Sequence, residues 1–113
     1  MIYISNAISG SMLLDLIPVG EEITVKWSHP TTEEVKTIIA AAPEDGVEST
    51  VGHPDTARVM SSILGIEVPF NRTSLKLRKG DTLIWAQMVG PRLPEGATSL
   101  PEGTSLEWMM ITL

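Results

Sequence analysis

Chemistry in this sequence concentrates on a few polar side chains, and His53 stands out among them. It lies in Val51-Gly52-His53-Pro54-Asp55-Thr56, at the joint between an apolar approach and a new helix. Pro54 suits the first helical position, where its missing N–H is no loss, and Asp55 and Thr56 suit the first turn. His53 is therefore the expected N-cap. A helix start presents unpaired N–H groups and partial positive charge, which favour an anion. An imidazole beside it can give or take a proton near neutral pH. The simpler alternative is that His53 only caps the helix. Arg72 precedes a candidate strand, Gln87 lies near the end of another, and Arg92 shares one loop with Glu95. Either arginine can equally be a surface charge, and Glu95 a solvated turn residue. Asn6 and Ser9, in the polar stretch after the first strand, can face a ligand or simply close turns.

Other chemistries are poorly supplied. With 0 cysteines there is no thiol nucleophile or thiolate metal site, and Gly10-Ser11 does not spell a nucleophile elbow. The 2 histidines, His29 and His53, lie far apart and show no ligand spacing with Asp or Glu, so no metal is expected. No glycine fingerprint for a nucleotide cofactor is present. His29, in a His-Pro dipeptide, reads as a solvated loop residue.

The elements that must position these residues follow from periodicity. Ile2-Tyr3-Ile4 reads as a strand, and a short segment follows over Met12 to Leu16. Ile23, Val25 and Trp27 alternate with polar residues as a second strand does. Thr31-Thr32-Glu33-Glu34 spells a capping box ahead of a helix from Thr32 to Ala42 that stops at Pro43. Val47 to Val51 predicts a short strand. Ala57, Met60, Ile63 and Leu64 recur at helical spacing from Pro54 until Gly65 stops the run. Ile66 to Phe70 is expected to be extended, and Thr73 to Leu77 alternates as another strand. Thr82 to Val89 reads as a central strand covered on both faces, in which the amide of Gln87 needs a partner or a ligand. Leu106 to Leu113 resumes an apolar strand that would close the sheet. No repeat or linker divides residues 1–113, so the expectation is one α/β domain, a mixed sheet with helices packed against it.

Composition narrows the partners. The chain has 113 residues, 42% hydrophobic, with a formal net charge of -6. That charge disfavours long nucleic acids, although focused arginines and a helix end can still hold a short polyanion. No stretch has the length of a membrane span. The start of the chain lacks the pattern of a secretory signal, so a cytoplasmic location is expected.

Taken in order, Ser5-Asn6-Ala7 with Ser9, Gly52-His53, Asn71-Arg72 and Arg92-Leu93-Pro94-Glu95-Gly96 resemble the viral type III anti-CRISPR ring nucleases and their cellular relatives. The resemblance runs from Ile2 to Gly96 and is weakest in the helix from Thr32 and after Thr98. The spacing Met88-Val89-Gly90-Pro91 between Gln87 and Arg92 departs from the family pattern. The resemblance implies a homodimer that binds cyclic tetraadenylate, the second messenger of type III CRISPR defence, and cuts it without metal. It further implies His53 as general acid and Glu95 as the group that orients or deprotonates the 2'-hydroxyl. Arg72 and Arg92 would hold phosphates, while Asn6, Ser9 and Gln87 would contact phosphates or bases. Such chemistry suits the inventory, because a ribonucleotide carries its own nucleophile and asks only for alignment, a proton donor and charge neutralisation. Two other readings remain: a protein that sequesters the nucleotide without cutting it, and a small viral DNA-binding regulator, against which the negative charge counts.

Overall fold

Apolar periodicity sorts the chain into five strands and two helices in a computed structural model that describes residues 1–113. The strands are β1 (Ile2–Ser5), β2 (Lys26–Ser28), β3 (Val47–Ser49), β4 (Thr82–Val89) and β5 (Ser105–Thr112). The helices are α1 (Thr32–Ala41) and α2 (Pro54–Leu64), and a 3₁₀ turn spans Gly10–Met12. The strands form one mixed sheet in the order β2-β5-β4-β1-β3. β1 runs parallel to both β3 and β4, and β5 is antiparallel to β4 and β2.

Both helices begin and end where local chemistry dictates. Thr31 accepts the Glu34 N–H and the Glu34 carboxylate accepts the Thr31 N–H, so the capping box satisfies two otherwise orphaned donors. Pro54 opens α2, and Gly65 closes it in the left-handed conformation (φ 69°) that residues with a Cβ rarely adopt.

The sheet is covered on both faces, by different means. On one face Ile4, Ile84, Ala86 and Trp108 meet Val35 of α1 and Ala57, Met60 and Leu64 of α2. Fully burying a side chain of this kind contributes about 1.5–3 kcal/mol. The buried Trp108 also donates its indole N–H to Thr32 Oγ1 at 3.1 Å, tying β5 to α1. On the other face Leu83, Trp85 and Ile111 lie beneath Leu75 and Leu77, with Ile8, Met12 and Leu13 around them.

Several sequence expectations are corrected. The second strand begins at Lys26 rather than Ile23, because it is an outer strand paired only with Met110–Thr112, and Ile23 stays exposed. Thr73 to Leu77 is not a strand. Its alternation buries Leu75 and Leu77 against the sheet face, and the Leu77 N–H donates to the Met12 carbonyl instead of to a ladder. Alternation reports which side chains are buried and leaves open whether the backbone pairs. The Ile66 to Phe70 segment contributes one bridge, Phe70 with Val51, and β3 itself stops at Ser49. The short segment expected over Met12 to Leu16 begins earlier, with a 3₁₀ turn at Gly10–Met12, and continues as turns in which the Leu16 and Ile17 N–H groups donate to the Leu13 carbonyl. β5 does not close the sheet, since β2 lies outside it. The inner part of β4, Leu83 to Ala86, is buried as a central strand should be, but Gln87 is exposed. Its amide is open to solvent and needs no buried partner. No helix is long and apolar enough to cross a membrane.

Candidate functional site

Three parallel strands deliver their carboxyl ends to one edge of the molecule. From β1 the chain passes to the face covered by Ile8, Met12 and Leu13, whereas from β3 it enters α2 on the opposite face. Where neighbouring strands send the chain to opposite faces, a crevice opens beyond their carboxyl ends, the usual ligand position in open α/β sheets. Asn6 and His53 stand on its two sides.

The crevice is held together around Gly52. Its N–H donates to Asn6 Oδ1 at 3.0 Å, tying the end of β1 to the approach to α2. A Cβ on Gly52 would lie 3.4 Å from Arg72 Cγ, so the Arg72 stem packs directly over this backbone. His53 follows as the N-cap of α2 with an extended backbone (φ -135°, ψ 119°), yet its imidazole makes no capping hydrogen bond. The first-turn N–H groups are left without an acceptor from their own cap, and His53 is exposed to solvent. The position is that of a cap, and the side chain does not act as one.

A recess of about 600 Å³ opens in front of α2, lined by His53, Asp55, Thr56, Met88, Arg92 and Glu95 among others. Arg92 and Glu95 reach it because the chain turns at Gly90 after β4. Gly90 has φ 113°, and a Cβ there would collide with the Gly103 carbonyl oxygen, so only glycine permits this return. The side chains of His53, Arg72, Arg92 and Glu95 make no hydrogen bond or ion pair within the chain. An imidazole, a guanidinium and a carboxylate thus line one recess at a helix N-terminus with no partner inside the chain, while the Arg72 stem lies beside it over Gly52. Phosphate is the ligand chemistry such a set accommodates.

Not every residue singled out in the sequence joins them. Ser9 lies at the head of the 3₁₀ turn, where its hydroxyl pairs with that of Ser11 at 2.9 Å. Strand alternation puts Gln87 on the face of Leu83 and Trp85, whereas Met88, on the face of Ile84 and Ala86, lines the recess. Gln87 donates only to the Met88 carbonyl at 3.4 Å. His29 pairs with Glu107 at 3.0 Å on the surface. Conversely, Asp55 lines the recess as a buried residue, one carboxylate oxygen paired with Arg58 and the other accepting the Gly96 N–H at 3.1 Å. The sequence marked Asp55 only as a good first-turn residue. The Asp55/Arg58 spacing signals an ion pair, but nothing local signals a partner 41 positions away.

Two other recesses suit phosphate less well. One of about 640 Å³, between the end of α1 and β3, is largely apolar and carries the carboxylates of Glu44, Glu48 and Glu67 with no cation. The second, of about 510 Å³, mixes Lys76 and Arg78 with Glu48 and Asp81. There the Tyr3 hydroxyl is pushed up from its ordinary pKa by burial and by the carboxylates of Asp81 and Glu48, so it remains a neutral phenol.

Comparison with known proteins places the chain in viral company. The STIV B116-like family model matches residues 2–106. Protein 26 of Sulfolobus islandicus filamentous virus (isolate Iceland/Hveragerdi) is 34% identical over 96 residues, covering 85% of this chain and 74% of the relative. The ORF117 protein of Acidianus two-tailed virus is 39% identical over 66 residues, covering 58% of this chain and 55% of the relative. Among solved structures, B116 of Sulfolobus turreted icosahedral virus superposes with a TM-score of 0.77 over 99% of this chain and 98% of that one. At 19% identity that match establishes a shared fold.

Proposed function

The chain belongs to the STIV B116-like family, and from that membership and the crevice around His53 we propose that it is a metal-independent ring nuclease. Its substrate is cyclic tetraadenylate, and its effect is to switch off type III CRISPR signalling. The observation that carries this reading is the recess lined together by His53, Arg92 and Glu95, whose side chains have no partners of their own. The resemblance to anti-CRISPR ring nucleases supplies the substrate.

In this mechanism the adenosine 2'-hydroxyl attacks the adjacent phosphorus as Glu95 orients it or takes its proton. The bond from phosphorus to the 5'-oxygen breaks, and His53 protonates that departing oxygen. The products are linear di-adenylates with a 2',3'-cyclic phosphate at one end and a 5'-hydroxyl at the other. Arg92 and Arg72 neutralise charge on the crowded phosphate, where bidentate guanidinium contacts are strongest. The first-turn N–H groups of α2 add partial positive charge on the same side.

A recess of this size takes a drug-sized ligand, and a ring of four nucleotides is larger. Two copies related by a two-fold axis would each offer one catalytic set to opposite linkages of the ring. Light scattering is expected to give twice the chain mass, and a monomer cleaving at full rate would refute this arrangement. The proposed activity itself is tested by incubating the pure protein with cyclic tetraadenylate and separating the products by chromatography. Linear di-adenylates support the reading. Binding without cleavage would mark a sequestering protein, and an unchanged, unbound ring would overturn both.

A further inference from the structure

The loop that carries Arg92 and Glu95 is held to the rest of the fold by a single hydrogen bond. Between Pro91 and Gly103 the other bonds are internal to the connection from β4 to β5: Ala97 N–H to Pro94, Thr104 N–H to Pro101, and the Thr104 hydroxyl to Pro91. The exception is the Gly96 N–H, which donates to Asp55 Oδ2 at 3.1 Å. Asp55 is well suited to that task. It is buried on the first turn of α2, two positions beyond His53, and Arg58 fixes its second oxygen. The helix N-terminus favours its negative charge. His53 is fixed to α2 by the backbone, whereas Glu95 lies next to Gly96, so the spacing between the two groups depends on this link.

We infer that Asp55 is a positioning residue, which sets Glu95 and Arg92 opposite His53 by holding the Gly96 N–H against the head of α2. This rests on the proposed ring nuclease reaction for its kinetic consequence, but the tether itself is independent of any activity. An acid-base pair misplaced by about an ångström loses about 10- to 100-fold in rate even when the substrate still binds.

The test compares D55A, D55N and R58A with the wild type in two measurements. The first is hydrogen exchange at the Gly96 amide by NMR, with no ligand present. D55A is expected to speed exchange about fivefold or more, D55N to restore protection because its side-chain oxygen still accepts, and R58A to leave it close to wild type. The second is single-turnover cleavage of cyclic tetraadenylate at saturating ring. There D55A should fall about 10- to 100-fold with little change in ring affinity, while D55N recovers most of the rate. If D55A fails to fold, D55S, with a side chain one bond shorter, carries both measurements. Unchanged Gly96 exchange in the variant lacking the acceptor would overturn the inference. So would faster exchange with an unaltered cleavage rate, or a D55N that behaves like D55A. A wild type that does not cleave the ring overturns the proposed reaction instead, and the exchange data then still decide whether the tether exists.

Discussion

Replacing His53 with alanine is expected to slow single-turnover cleavage of cyclic tetraadenylate by roughly 100-fold or more while leaving ring affinity and melting temperature nearly unchanged. The stability half of this expectation comes from the structure. A residue that caps a helix through its side chain contributes about 0.5–2 kcal/mol, but the His53 imidazole makes no such bond and is exposed. Alanine therefore removes little that holds α2 in place. The kinetic half comes from chemistry: without a donor, the 5'-oxygen must leave as an alkoxide. Measuring the melting temperature beside the single-turnover rate separates the two roles. A large loss of stability with an intact rate would reduce His53 to a cap. Glu95→Ala should likewise slow chemistry more than binding, whereas Arg92→Ala should damage both, since a phosphate clamp acts in the ground state and more strongly in the transition state.

A ring carrying 2'-deoxy groups is expected to bind and to remain uncut, and the natural ring to be cut equally well in EDTA. Both follow from the proposed reaction: no cysteine exists in the chain, and the imidazole, guanidinium and carboxylate that line the recess are assigned acid–base and phosphate-binding work. In the proposed reaction the substrate supplies the attacking oxygen, and its removal leaves the phosphates, bases and their contacts in place. Mass spectrometry distinguishes the expected 2',3'-cyclic phosphate from an open phosphate by the loss of one water. Cleavage of the 2'-deoxy ring at the natural rate, or loss of turnover on chelation, would replace the roles given to His53 and Glu95 with a water- or metal-based mechanism.

What the sequence by itself determined is whatever depends on near neighbours. The capping box at Thr31, Pro54 ahead of α2 and Gly65 after it act over three or four residues, and the structure places both helices where those signals put them. The run from Leu83 to Ala86 likewise marked a strand buried on both faces, and the spacing around His53 marked the start of α2. The tertiary structure alone decided how distant segments meet. Alternation at Leu75 and Leu77 is satisfied equally by a strand and by an unpaired segment lying across a sheet, and only the Leu77 link to Met12 shows which one exists. Gln87 and Met88 are neighbours in sequence, but the pleat turns them to opposite faces, and which face meets the crevice depends on where α2 packs. Asn6 binds Gly52 and Asp55 binds Gly96 across separations of 46 and 41 residues. No local pattern encodes such pairs, because a helix or strand preference is set by the chain's own nearby atoms, whereas a buried carboxylate finds its donor only after the sheet and helices have brought two remote loops together.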